Sequence, residues 1–202
     1  GTVTGVQTCA LPIFFSKVPL ESVRTVALDT SSLTSVALTR ILLKEVFHAE
    51  PCYHHHAPDL GEMLRQYDAG LIIGDLKLFD LHPDTQVYDL GQGWYDLTGL
   101  PFVYAAWLAR EEVVSNEMAE ILLRAKQWGV ARREQLAEVW AERMNLPLER
   151  SHDYLLNVMD YDLEAHHLEG LRAYQERCLR YGLLSERLDI ESVTQKRISA
   201  SP

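Results

Sequence analysis

The densest group of chemically useful side chains is Asp29-Thr30-Ser31-Ser32-Leu33-Thr34-Ser35, where five of the six residues from Thr30 to Ser35 carry a hydroxyl. The group follows a β-rich run, Val23 to Leu28, and opens a helical pattern that begins near Ser32. Free backbone N–H groups at a helix start, with the positive end of its dipole, attract an anion. Short hydroxyls add donors, so this turn suits a carboxylate or a phosphate. The plainer alternative is that Ser31 or Ser32 serves only as a helix N-cap, worth about 1 kcal/mol. No glycine-rich fingerprint accompanies the turn, so neither a dinucleotide nor a P-loop nucleotide is indicated.

Three weaker groups follow. Ile72-Ile73-Gly74-Asp75 reads as a buried strand ending in Gly and Asp, the usual ligand position at the carboxyl end of a parallel sheet. Asp75 would orient a hydroxyl-bearing group there, or merely cap the next turn. The stretch Tyr88 to Phe102 offers Trp94 and Phe102 as walls for a ring-shaped ligand, although core packing is the commoner fate of such aromatics. The run Tyr53-His54-His55-His56 cannot aim three imidazoles at one metal, because neighbours on a strand point to opposite sides. His166 and His167 are adjacent on a helical pattern and are expected to diverge as well, so no metal site and no cofactor is expected. Cys9, Cys52 and Cys178 are far apart and form no C-x-x-C pair, which reads as free thiols. There is no G-x-S-x-G elbow, and spacing alone assigns no Ser/His/Asp set.

The elements that must position these groups fall into two regions. From about residue 20 to 110, β-rich runs alternate with helical patterns: strands at Val23 to Leu28, Pro51 to His56, Ala69 to Gly74 and Pro101 to Ala109, and helices at Ser32 to Phe47, Leu60 to Gln66 and Asp89 to Leu97. That alternation predicts an α/β fold with a mostly parallel sheet. From about 115 to 190, apolar residues recur at helical spacing, first at Met118, Ile121, Leu122 and Ala125, and last at Leu171, Tyr174 and Cys178. These are three or four amphipathic helices, with a break at Asn145 and Pro147. Their single apolar stripes fit ordinary packing better than a partner-binding bundle.

The chain of 202 residues, 47% hydrophobic and 24% charged, can bury a substantial core. No apolar run approaches the roughly 20 residues needed to cross a bilayer. The net charge of −10 argues against sequence-independent binding of phosphate backbones, so no nucleic-acid partner is expected. Small anionic substrates remain compatible, because local dipoles hold them.

DTSSLTSVALTRILL, DAGLIIGDLKL and DLGQGWYDLTGLPFVYAAWLAR, taken together and in this order, resemble the chorismate dehydratases of menaquinone biosynthesis. The resemblance is strong from Phe15 to Arg110 and loose over the helical tail. It implies a type II periplasmic-binding-protein-like fold, two α/β lobes around a cleft, reused as a cytoplasmic enzyme without a cofactor. Residues 14–110 would be lobe two with its crossover strand, 111–190 a helical tail packing on lobe one, and 191–202 a disordered tail. The implied reaction dehydrates chorismate. Ser31, Ser32, Thr34 and Ser35 would bind its carboxylates, with Asp75 as a weaker polar contact and Trp94 as a weak candidate for ring packing; no residue stands out as the base. Residues 1–13 read as a foreign leader, similar to a translated sequencing adaptor, and the family's lobe-one block has no counterpart, so the chain is expected to be an inactive fragment. A non-catalytic solute-binding protein for a small carboxylate is the alternative. A transcriptional effector domain is disfavoured, since no basic helix-turn-helix segment is present.

Overall fold

The computed structural model describes residues 11–74, 84–107 and 115–190. Five strands form one sheet in the order β3-β2-β4-β1-β5. At its centre β2 (Thr25–Asp29) pairs in parallel with β3 (Cys52–His56) and β4 (Ala69–Gly74). The connections are helical. α1 (Leu33–Glu45) starts where the Ser32 side chain accepts the Ser35 N–H, and its Leu38, Ile41 and Leu42 recur at helical spacing and are buried in the main core. α2 (Leu60–Gln66) starts on Asp59, whose carboxylate accepts the Glu62 N–H.

The sheet is mixed rather than mostly parallel. β1 (Leu11–Ser16) runs antiparallel to both β4 and β5 (Gln86–Asp89). Phe14 belongs to the main core, while Ile13 and Phe15 join Leu60, Leu64 and Ile72 in a second cluster. A strand covered on both faces loses the alternation that advertises a half-exposed strand. That is why LPIFFS does not read as a strand, and the boundary expected after residue 13 falls inside β1.

α3 (Leu90–Thr98) begins at Asp89, which accepts the N–H groups of Gly91 and Gln92, and ends at Gly99 with φ 69°. The strand expected at Pro101 to Ala109 does not form over its described part, residues 101–107. Phe102 instead packs on Trp94 and Tyr174, and the Pro101 carbonyl lies so close to Gly170 that a Cβ there would sit 2.2 Å from it. The segment thus rests on a helix and pairs with no strand; residues 108 and 109 lie outside the described residues.

The tail comprises α4 (Asn116–Val130), α5 (Arg133–Met144), α6 (Leu148–His152), which continues into a wider π-type turn over Asp153–Val158, and α7 (Ala165–Arg180). α5 ends at Asn145, in left-handed conformation with φ 50°, and Pro147 caps α6, as the break at these two residues predicts. α7 docks on α1: Arg177 Nε donates to Glu45 Oε2 at 3.0 Å, and the Tyr181 hydroxyl donates to Glu45 Oε1 at 3.0 Å. No helix among the described residues is long and apolar enough to cross a membrane.

Candidate functional site

Parallel pairing puts the carboxyl ends of β2 and β4 side by side, so the hydroxyl turn after β2 lies next to the end of β4. One buried side chain joins them. Asp29, 3% exposed, accepts the Ser31 N–H on Oδ1 at 2.9 Å and the Ile73 N–H on Oδ2 at 3.2 Å. N–H donors of this kind stabilise a buried carboxylate. Asp29 therefore shapes the turn and holds it to β4.

The turn then divides its labour. Ser32 is the N-cap of α1, and its Oγ lies 2.9 Å from Ser35 Oγ. Ser35 is buried, with its carbonyl accepting the Thr39 hydroxyl at 2.8 Å. Ser31 is exposed and Thr34 half-buried. The Thr34 carbonyl accepts the Tyr174 hydroxyl at 3.0 Å, which pins the first turn of α1 from across the chain. Burial pushes the Tyr174 phenol well above its ordinary range, so it stays a neutral donor. The capping alternative and the binding reading thus fall on different residues: Ser32 and Ser35 build the helix start, while Ser31 and Thr34 face outward or partly so.

The other expected residues separate. Gly74 ends β4 beside the turn, and Asp75 lies outside the described residues. Trp94 is fully buried, edge-on to Phe102 at 5.5 Å and to Tyr174 at 6.1 Å. It is a core aromatic and not the wall of an open cleft, because α3 turns its apolar face onto α1 and α7. Cys52 is exposed and Cys178 is buried in the main core; Cys9 lies outside the described residues. His54 and His56 both contact the Tyr67 ring, at 4.8 and 6.1 Å between centroids. His166 and His167 do not diverge: their rings lie 4.0 Å apart, since side-chain rotation in the first turn of α7 overcomes the angular offset of neighbouring residues.

Sequence reasoning named Asp29 and Tyr174 but missed the part each plays in holding the turn. For Asp29 a signal existed, an acid at the buried end of an apolar strand directly before the hydroxyl run. Tyr174 carried none, because its partner lies 140 residues away.

Residues 3–180 match the family model described as menaquinone biosynthesis. The chain belongs to that family. This member is 36% identical over 181 residues to the chorismate dehydratase of Thermus thermophilus, an alignment covering 80% of this chain and 65% of that protein. The chain therefore spans just under two thirds of that relative's length. In this menaquinone-biosynthesis family member the hydroxyl turn, the β4 end and the segment around α3 all fall within the matched residues.

Proposed function

We propose that this chain carries the substrate-carboxylate cradle of a chorismate dehydratase, a hydro-lyase of the futalosine route to menaquinone. The reaction converts chorismate into 3-[(1-carboxyvinyl)oxy]benzoate and water: a ring proton and a ring hydroxyl leave together, and aromatisation drives their loss. The observation that carries the reading is the Asp29-clamped turn, with outward hydroxyls at the carboxyl ends of two parallel strands. The name of the Thermus thermophilus relative supports it.

In this reading Ser31 and Thr34 donate to a substrate carboxylate. Ser32 and Ser35 share one proton between their oxygens, which frees the other for the same carboxylate. Asp75 supplies a polar contact beside Gly74. Holding the two acid groups and excluding water supplies much of the acceleration. The base is assigned to no residue here; the enolpyruvyl carboxylate of the substrate itself fits that role. The cradle belongs to one lobe of a two-lobed, periplasmic-binding-protein-like cleft in a cytoplasmic enzyme; α7 packs on this same lobe through α1, and the rest of the helical tail packs on the other.

Thr34→Val in a full-length family member tests the assignment. Loss of one hydrogen bond to a charged group, about 1.5–3 kcal/mol, should raise KM for chorismate by about tenfold or more. Unchanged steady-state kinetics would remove Thr34 from the cradle. Tight chorismate binding by the full-length family member with no aromatic product would favour the non-catalytic carboxylate-binding reading. Incubating the 202-residue chain with chorismate should yield no aromatic product.

A further inference from the structure

A second group of chemically competent side chains lies far from the turn, at the start of α7. Asp160, His166 and His167 each offer one ligand atom, and these atoms all lie within 4.8 Å of one another. His167 is the fixed member. Its side chain is 7% exposed, its Nε2 sits 3.2 Å from Asp160 Oδ2, and its Nδ1 accepts the Glu164 N–H at 3.1 Å. His166 and Asp160 are about half exposed, and Asp160 Oδ1 accepts the Asp162 N–H at 2.9 Å.

We propose that Asp160, His166 and His167 bind one divalent transition-metal ion of the zinc class. Zinc holds nitrogen and oxygen at about 2.0–2.2 Å, so tetrahedral neighbours stand roughly 3.3–3.5 Å apart. The His167–Asp160 pair, at 3.2 Å, is within about 0.1 Å of that spacing. The His166 ring needs to close by roughly 1 Å, which half exposure allows. Two imidazoles and one carboxylate suit zinc better than magnesium or calcium, which prefer all-oxygen shells. Asp160 also borders a cavity of about 300 Å³ together with Arg133, Asn157, Tyr161 and Asp162, which neither histidine lines.

Two features oppose the ion and set its affinity. The positive end of α7 disfavours a cation. The carboxylate of Glu164, 3.7 Å from His166 Nδ1, offsets part of this, while Asp162 is already paired with Lys126. In addition, the Glu164 N–H holds the metal-free His167 in the tautomer with its proton on Nε2, donated to Asp160. An ion on Nε2 displaces that proton to Nδ1 and gives up the Glu164 bond. Binding is therefore moderate and carries a tautomer signature.

Titration of the 202-residue chain with zinc chloride by calorimetry, and with cobalt(II) by visible absorption, tests the site. One ion per chain and a tetrahedral cobalt band are expected. His166→Ala or Asp160→Ala, both at exposed positions, should each weaken binding at least about tenfold. The double variant His54→Ala/His56→Ala, which empties β3 of its like-facing imidazoles, should leave the isotherm unchanged. Long-range ¹H–¹⁵N spectra should show His167 moving its proton from Nε2 to Nδ1 as zinc is added. Absence of binding, binding indifferent to His166→Ala and Asp160→Ala, or binding lost with the β3 pair would each overturn the assignment. None of these readouts involves chorismate, so the site stands or falls apart from the dehydratase reading.

Discussion

α4 and α7 are amphipathic helices of nearly equal length, 15 and 16 residues, yet they meet opposite fates. α7 is bolted to the sheet unit. Tyr174 reaches the Thr34 carbonyl, Arg177 and Tyr181 share the Glu45 carboxylate, and Cys178 enters the main core. α4 has no buried residue, and its Met118, Ile121, Leu123 and Trp128 are all exposed. An apolar stripe therefore shows that a helix has a face to bury. It does not show that the face is buried against the same unit. The same contrast separates the hydroxyl turn, held by a buried carboxylate, from the Asp160–His167 group, in which only His167 is buried and Asp160 and His166 are half exposed.

The largest break in this comparison should come at Asp29. Asp29→Ala leaves the Ser31 and Ile73 N–H groups without their acceptor, each costing about 1–3 kcal/mol. Urea unfolding should show a loss of about 2–6 kcal/mol by the same reckoning; a loss near zero would mean that water replaces the carboxylate and that the turn is not clamped. Tyr174→Phe removes the hydroxyl bond to Thr34 and the bond with the Cys178 thiol and should cost about 1–2 kcal/mol, with faster amide exchange in the first turn of α1. Equal exchange in both proteins would show that α7 does not steady the turn.

Acid sharpens the contrast between regions. Asp68, on the sheet unit, is pushed up by desolvation but brought below the usual carboxylate range overall by bonds from the Arg24 N–H, the Thr25 hydroxyl and the Thr25 N–H, with Lys17 adding a smaller pull. Asp162, on the tail, is lowered by its bond to Lys126. In both cases the folded pKa lies under the unfolded one. Each contribution is then complete above the unfolded carboxylate value near 4 and is lost as pH falls through the folded value. Asp68→Asn should flatten the acid limb of the unfolding curve. Lys126→Met should return Asp162 toward its ordinary titration while leaving that limb nearly intact, as NMR titration of both carboxyls would show. The smallest effect is expected on α4: Ile121→Ser or Trp128→Ser should change stability by no more than about 0.5 kcal/mol. A larger loss would place that face against a partner surface.

Much of the local structure was legible from the residue pattern. Ser32 as a cap, Ile41 and Leu42 on the buried face of α1 and the Asn145–Pro147 break all follow rules that act within a few residues, although Leu33, at the same helical spacing, is exposed. The hydroxyl run likewise marked its own position at the strand-to-helix junction. β1 was not legible, because burial on both faces erases the alternation that identifies a strand. The failure of Pro101 to Trp107 to form a strand was equally hidden, since an apolar run carries no label for whether a sheet or a helix will cover it.

The amino-acid sequence alone determined where helices start and stop, which side chains are apolar, and that a cluster of hydroxyls follows a strand. Tertiary structure alone decided that β1 enters antiparallel between β4 and β5, that Asp29 reaches Ile73, that Tyr174 reaches Thr34, and that two neighbouring histidines meet Asp160. The reason is range. Caps and periodicity are enforced by steric and hydrogen-bonding terms between near neighbours, whereas these pairings join residues brought together by collective burial of apolar surface, which no short window of sequence encodes.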